Sequence, residues 1–372
     1  MTIAFDAKRA FHNSRGLGNY SRDLLRLAAT YADDNRYLLC NPRQGAVRTM
    51  GADITGKMEE LTPHGLWRLS PSAWRTWGCT EDVIHAGADA YWGLSAELPL
   101  NVHRTKLKTI VTVHDAIFIR YPELYSPTYR WLFTKKVHYA CRVADIIVAV
   151  SRQTADDCIN LLGADEKKVR VLYQGCSNIF RTKHSNTEIE ATLKNYNIPA
   201  NYILYVGAIE ERKNIRNLIL ALRDLPDCPP LVIAGGRSRY AEEMKQLASE
   251  LHLPVFFRHD IPFAEFPKLY QGATSFAYVS LFEGFGIPIL ESLCSGTPVV
   301  TSIGSCFSET GGNAALYADP TNPHDIADKL RQTLTDSLLR QQMREAGYKH
   351  AELFTDQHIG QEIKTLLNDI KI

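Results

Sequence analysis

Short runs of Val, Ile and Leu alternate along the chain with longer stretches in which apolar residues recur every three or four positions. A short continuous apolar run suits a strand buried on both faces, and the longer spacing suits a helix laid over it. Their alternation predicts βαβ units around parallel sheets. In the first half the candidate strands are residues 2–6, 37–40, 83–85, 108–114, 145–150 and 169–172. The pattern restarts at 202–206 and continues through 231–234, 255–257, 275–278 and 298–301. Two sheets are implied. Between the halves, residues 173–187 lose their apolar periodicity and Gly, Ser and Asn become common, which places a hinge there. Residues 351–372 regain helical spacing through Leu353, Ile359, Ile363, Leu366 and Leu367, and could pack on either half.

Length agrees with this division, since 372 residues give two domains room for a core each. With 42 Lys and Arg against 41 Asp and Glu, the chain offers no electrostatic reason to bind nucleic acid. Its eight cysteines form no C-x-x-C pair, so neither a zinc site nor a secreted disulfide framework is suggested. The N-terminus reads as a strand rather than a signal peptide, and no run of about 18 apolar residues occurs. A cytoplasmic protein is expected.

Parallel sheets gather ligands at the C-terminal ends of their strands, near helix N-termini. Three segments there carry candidate chemistry. In the run from Ser280 to Val300, Pro288 suits the first turn of a helix and Gly296 its terminator, predicting a helix over 288–295. Glu283 falls in the preceding loop, where Gly284 and Gly286 open the backbone to close approach and the helix N-terminus favours an anion such as a diphosphate. Glu291, read as lying in the first turn, could accept hydrogen bonds from a vicinal diol such as a ribose. The plainer reading makes Glu291 a complement to the helix dipole and Glu283 a solvated loop acid.

The second segment, residues 202–219, reads as a strand, a turn at Gly207, the cations Arg212 and Lys213, and a helix from about Asn214. Two cations at such a junction can clamp a diphosphate without a metal ion; otherwise they are an ordinary solvated pair. The third, residues 5–22, reads as a strand, a long loop with Gly16 and Gly18, and a helix from about Asn19. Further along, His114 ends a buried-looking strand, placed either to meet a ligand or simply to satisfy the core.

Taken together, these segments resemble the retaining nucleotide-sugar glycosyltransferases of the GT-B fold, family four, of the kind that build bacterial surface polysaccharides. The match runs through the Gly16 loop, residues 93–99, Val113-His-Asp115, Val150-Ser151, Gly207 to Asn214, Ala234-Gly235, and Glu283 to Thr297. Its most specific part is the E-x7-E pair Glu283 and Glu291 with Gly-Phe-Gly-Ile-Pro between them. The resemblance implies an α/β protein of two Rossmann-like domains facing a cleft. Residues 1–176 form the acceptor-side domain, completed by a C-terminal helix over 351–372, and residues 177–350 bind the nucleotide sugar.

By the same resemblance, Glu291 meets the ribose hydroxyls, and Arg212 and Lys213 meet the phosphates. Glu283, Gly284 and the backbone of Phe285, Gly286 and Ile287 address the donor sugar and phosphate. His114 touches the transferred sugar, Gly16 lies over the phosphates and reaction centre, and Gly18, Gly207, Gly235 and Ile261 complete the nucleotide-sugar site. His114, Glu283, Lys213 and Arg212 are the expected catalytic set, with no metal or other cofactor required. Three positions depart from the family pattern: Ala208 where Arg often follows the strand-ending Gly, His259 where Gly is usual, and Tyr91-Trp92 where Tyr-His is common.

The implied function is retaining transfer of a hexose from a nucleotide-diphosphate sugar to a hydroxyl of a glycan or lipid-linked glycan. GDP-mannose is favoured by the run from Val113 to Tyr125. A nucleotide-sugar-binding protein without transferase activity, or an epimerase on the same fold, is the alternative. The stretch from Gly65 to Trp77, with Trp67, Trp74 and Trp77 interleaved with Arg68 and Arg75, suggests peripheral contact with the inner face of the cytoplasmic membrane, although Pro71 interrupts any long amphipathic helix there.

Overall fold

A computed structural model of the protein describes residues 1–45, 56–225 and 227–370. They divide into two compact units, Met1–Gln174 with Asp356–Ile372, and Gly175–Thr355.

In the first unit, β1 (Thr2–Asp6), β2 (Arg36–Cys40), β3 (Met58–Leu61), β4 (Ala90–Gly93), β5 (Lys108–Val113), β6 (Ile146–Ala149) and β7 (Val169–Val171) form one sheet in the order β3-β2-β1-β4-β5-β6-β7. The pairings are parallel. Helices cover both faces of such a sheet, so its central strands must be apolar throughout. Ile3, Ala4 and Phe5 of β1 are accordingly fully buried, and the Phe5 ring lies 5.7 Å from Tyr37 and 5.6 Å from Trp92. Chain order reverses between β1 and β4, and a crevice opens at such a switch point.

The second unit repeats the plan. Its strands β8 (Ile203–Val206), β9 (Leu231–Ala234), β10 (Val255–Arg258), β11 (Ser275–Tyr278), β12 (Val299–Ser302) and β13 (Ala315–Ala318) run parallel in the order β10-β9-β8-β11-β12-β13. The switch point falls between β8 and β11.

Some expectations change. Residues 83–85 are not a strand but the end of the helix Cys79–His85, which buries Val83 and exposes Ile84; three residues are too few for apolar identity to tell the two apart. The strand at that place is β4. The unanticipated β3 pairs with β2 at the sheet edge and exposes Glu59 and Glu60, which hid it from an apolar search. Among the described residues no helix is long and apolar enough to cross a membrane.

The unit boundaries fall at 174/175 and 355/356 rather than 176/177 and 350/351. Cys176 packs against Cys294, with the sulfurs 3.3 Å apart, and Phe354 packs against Phe285, so both stay with the second unit. The last helix, Asp356–Ile370, joins the first unit. There Arg26 binds Asp356 through two 2.8 Å bonds, and Gly360 lies so near the Tyr31 ring that a Cβ would sit 2.2 Å from it.

Candidate active site

The loops that leave β8 and β11 meet at the switch point of the second unit. After β8 the chain makes a short turn, Glu211–Lys213, and Asn214 takes the left-handed conformation (φ 58°) before the helix Ile215–Ala221. Asn tolerates that conformation better than most residues. Its Nδ2 also donates to the carbonyls of Val279 (2.9 Å) and Pro320 (2.6 Å), while the Leu281 N–H donates to the Arg212 carbonyl at 2.9 Å. The two loops are thereby locked together, and the side chains they carry converge.

At the centre is Glu283, 8% exposed. Lys213 Nζ lies 2.6 Å from its Oε1 and Arg212 Nη1 2.9 Å from its Oε2. Burial opposes ionisation of this carboxyl, but the Lys213 ammonium and then the Arg212 guanidinium outweigh it and hold the pKa at about 2. Tyr278, at the end of β11, completes the group by accepting from Lys213 Nζ at 2.8 Å and donating to Glu283 Oε1 at 3.0 Å. Burial, then the Glu283 charge, raises the Tyr278 pKa, which keeps the phenol protonated for that donation. Behind the cluster, Ser305 Oγ and Cys306 Sγ both donate to the Glu283 carbonyl. Sequence reading missed Tyr278; the available signal was a polar tip inside an apolar strand, which must find a partner when buried.

The helix that follows runs Ile287–Ser295, with Pro288 in its first turn, Gly286 before it at φ 94° and Gly296 after it at φ 75°, as the spacing predicts. Glu291, however, lies in the second turn, so neither the first-turn placement nor the helix-dipole reading applies. Its Oε2 accepts from Tyr270 at 2.9 Å. Burial raises its pKa to about 7, and the Tyr270 hydrogen bond offsets that only in part. The Tyr270 ring is 5.1 Å from Phe276, which is 6.0 Å from Tyr278. Glu283 and Glu291 therefore stand at the two ends of one row of aromatic rings.

The remaining predicted residues fall into groups. Gly207 (φ 151°) and Gly235 end β8 and β9 and approach so closely that a Cβ on Gly235 would lie 2.2 Å from the Gly207 carbonyl. Ile261, half-buried, lies three residues past β10. At the departure sites, the Ala208 carbonyl accepts from Tyr205 Oη at 2.7 Å, and His259 Nδ1 lies 2.6 Å from the Gly235 carbonyl. Phe285 is buried, its carbonyl accepting from Thr310 Oγ1.

His114, Gly16 and Gly18 belong to the first unit. His114 Nε2 is 2.9 Å from the Leu94 carbonyl, which assigns the ring proton to Nε2 and leaves Nδ1 as an acceptor. Burial lowers its pKa to about 4, so the ring is neutral at pH 7. It stands edge-on to Tyr20 at 4.6 Å. Gly16 and Gly18 are not in a loop; they open the helix Gly16–Tyr31. A Cβ on Gly16 would meet nothing within 4 Å, whereas one on Gly18 would lie 1.8 Å from the Asn13 carbonyl. Gly18 is thus a packing requirement and Gly16 an open position.

Of the Trp residues in 65–77, Trp74 is fully buried with its indole N–H on Asp82 at 2.6 Å, Trp67 lies against Gly78, and Trp77 is 48% exposed. A 3-10 turn over Gly65–Leu69 ends at Ser70 and Pro71 starts a separate helical run to His85, so no single long helix spans the stretch, as expected from Pro71; Leu66 and Leu69 stand exposed.

Known proteins can now be set beside this geometry. The model of the glycosyl transferases group 1 matches residues 188–350, and that of glycosyltransferase family 4 matches residues 47–177. The O-antigen chain mannosyltransferase B of Escherichia coli is 31% identical over 283 residues, covering 74% of this chain and 71% of that one. The O-antigen chain mannosyltransferase RfbU of Salmonella typhimurium is 31% identical over 234 residues, 62% of each chain. The crystal structure of Anabaena HepE in complex with UDP superposes with a TM-score of 0.78 at 21% identity, over 99% of this chain and 100% of that one. The chain therefore belongs to the group 1 glycosyltransferases, carries their GT-B fold, and transfers glycosyl groups.

Proposed function

We propose that the protein is a retaining hexosyltransferase that moves a hexose from a nucleotide-diphosphate sugar, GDP-mannose first, to a hydroxyl of a glycan or lipid-linked glycan. The observation that carries this reading is the buried group of Glu283, Arg212, Lys213 and Tyr278 at the second unit's switch point. Lys213 and Arg212 are fixed on one buried carboxylate, with the half-exposed Glu210 2.8 Å from Arg212 on its outer side, so both cations are positioned for a departing diphosphate before the reaction begins. In this reading the two fixed cations do the work a metal ion would otherwise do at the leaving group. Glu283, ionised down to about pH 2 and held by both cations, is a poor base and a poor nucleophile. Its role is to orient the donor sugar, while the acceptor hydroxyl attacks from the face the nucleotide leaves and gives its proton to the departing phosphate oxygen.

Glu291 takes the ribose hydroxyls, the open backbone at Gly16 lies over the phosphates, and neutral His114 accepts from a sugar hydroxyl through Nδ1. The mannosyltransferase relatives favour a mannosyl donor. Thermal-shift screening against GDP-mannose, UDP-glucose, UDP-galactose and their parent diphosphates tests the donor, since a ligand of the folded state raises its apparent stability. Stabilisation by none of them would refute the reading, and inversion at the anomeric carbon in the product would refute retention.

Lipid-linked acceptors would bring the enzyme to the inner face of the cytoplasmic membrane. Two surfaces are suited to that: the stretch 65–77, which exposes Leu66, Leu69 and Trp77, and the helix Pro127–Val143, which bears Arg130, Lys135, Lys136 and Arg142 with no carboxylate. That helix also exposes Tyr129, Trp131 and Leu132. Aromatic and basic side chains on one face suit an anionic bilayer surface. Failure to float with phosphatidylglycerol vesicles would refute the contact.

A further inference from the structure

Between β11 and the helix Ile287–Ser295, residues 279–286 have no regular structure; Gly284 directly follows Glu283, and Gly286 takes φ 94°. A segment so free to turn keeps one geometry only where groups from outside it grip its backbone. The chain that leaves β12 supplies them. Thr301 Oγ1 donates to the Tyr278 carbonyl at 2.8 Å and Ser302 Oγ to the Ser280 carbonyl at 2.7 Å. Cys306 Sγ donates to the Glu283 carbonyl and Thr310 Oγ1 to the Phe285 carbonyl. Among them stands Ser305, whose hydroxyl donates to the Glu283 carbonyl at 2.9 Å and accepts from the Glu283 N–H at 3.3 Å.

Ser305 differs from these neighbours in two ways. The N–H and C=O of a residue belong to the two peptide planes that flank its Cα, so a group bonded to both fixes the direction in which the side chain leaves. For Glu283 that direction sets where the carboxylate meets Lys213 and Arg212. Ser305 also follows Gly304 (φ 76°) into the left-handed region, at φ 48°. A Cβ makes that conformation costly, and Gly adopts it freely. Backbone stability alone therefore favours Gly at 305, and what Ser brings instead is the hydroxyl. Satisfying the Glu283 carbonyl does not require that hydroxyl, because Cys306 donates to the same oxygen.

We infer that Ser305 is a positioning residue for glycosyl transfer, its hydroxyl holding the backbone of Glu283 so that the carboxylate faces the donor sugar. The inference rests on Glu283 orienting that sugar, as proposed above. Two variants separate the hydroxyl from the backbone. Ser305→Gly removes the hydroxyl and relieves the left-handed strain, whereas Ser305→Ala removes the hydroxyl and keeps the strain. Ser305→Gly should melt higher than Ser305→Ala, yet kcat should fall by a similar factor in both, about ten-fold, with donor KM within about two-fold of wild type. In the Glu283→Gln background Ser305→Gly should slow transfer no further, since a group acting through Glu283 has nothing left to position. Wild-type kcat in Ser305→Gly overturns the inference, even where Ser305→Ala is slow, because the loss then follows stability and not the hydroxyl. A further ten-fold loss on top of Glu283→Gln also overturns it, because Ser305 then acts elsewhere. Wild-type transfer by Glu283→Gln itself refutes the donor-sugar reading and this inference with it, whereas a slow Glu283→Gln beside wild-type Ser305 variants overturns the inference alone.

Discussion

The two units share a strand order and a parallel sheet, yet the edges that hold their candidate sites bury and arrange their charges differently. At the β8/β11 edge Lys213 and Arg212 close on the buried Glu283, and the half-exposed Glu210 pairs with Arg212 from outside, all of it in front of a helix N-terminus. At the β1/β4 edge Asp6 and Glu97 hold Arg75, with Lys8 and Lys136 beside them, and nearby His114 is neutral. The same topology has been given two different charged clusters by the loops that decorate it, one centred on a carboxylate held by two cations and the other on an arginine held by two carboxylates. Fold sets where a site can be; the side chains at that edge set what it does.

The strongest way to break this contrast is to remove the charge on the second edge. Glu283→Gln and Lys213→Ala should each slow transfer about 10²- to 10³-fold, the range seen for a lost charge-stabilising donor, in protein whose Tm confirms that it is folded. Near-normal turnover by both would mean the charged edge is not the catalytic one.

Glu291 gives the next largest effect. Glu291→Ala should weaken nucleotide diphosphate binding by roughly 1.5–3 kcal/mol, measured by calorimetry. Because its pKa is about 7, the wild-type affinity should also tighten as pH rises through neutrality and the carboxylate ionises. For stability the sign is opposite. A carboxyl whose folded pKa is raised favours the folded state below its unfolded pKa, and that contribution is lost as pH rises through about 7. Glu291→Gln should therefore be more stable than wild type at alkaline pH, and its nucleotide affinity should keep only the pH dependence of the diphosphate's own ionisation. Identical pH profiles of affinity for wild type and Glu291→Gln would refute the assignment.

On the first edge the effects are smaller and structural. Gly18→Ala forces a Cβ into the Asn13 carbonyl and should cost on the order of 1–3 kcal/mol in denaturant unfolding. Gly16→Ala meets empty space and should stay within about 0.5 kcal/mol. Equal costs would show that the two glycines are not distinguished by packing. The smallest signal expected is from His114, whose ring should titrate near pH 4 by NMR and contribute no inflection to the rate between about pH 6 and 8. An inflection near the ordinary histidine value would place the ring in water.

Much of this was legible from residue order. Strand 275–278, the helix behind Pro288 and its Gly296 terminator all follow from local rules that act over a few residues, and they hold. Strands 58–61 and 315–318 escaped because they are short and half-exposed, so their apolar pattern is weak. Glu291 was placed one turn early because a helix boundary can shift by a residue or two without any change in composition.

The sequence by itself determined the two parallel sheets, the loops at their C-terminal edges, and the residue types available there, because periodicity, Gly and Pro act locally. Only the tertiary structure decided that Lys213 closes on Glu283 seventy positions away with Tyr278 between them, that Glu291 rests on Tyr270, and that Gly18 packs while Gly16 stays open. Those outcomes depend on which distant backbone each side chain is folded against and how much water is left around it, and neither is written in local spacing.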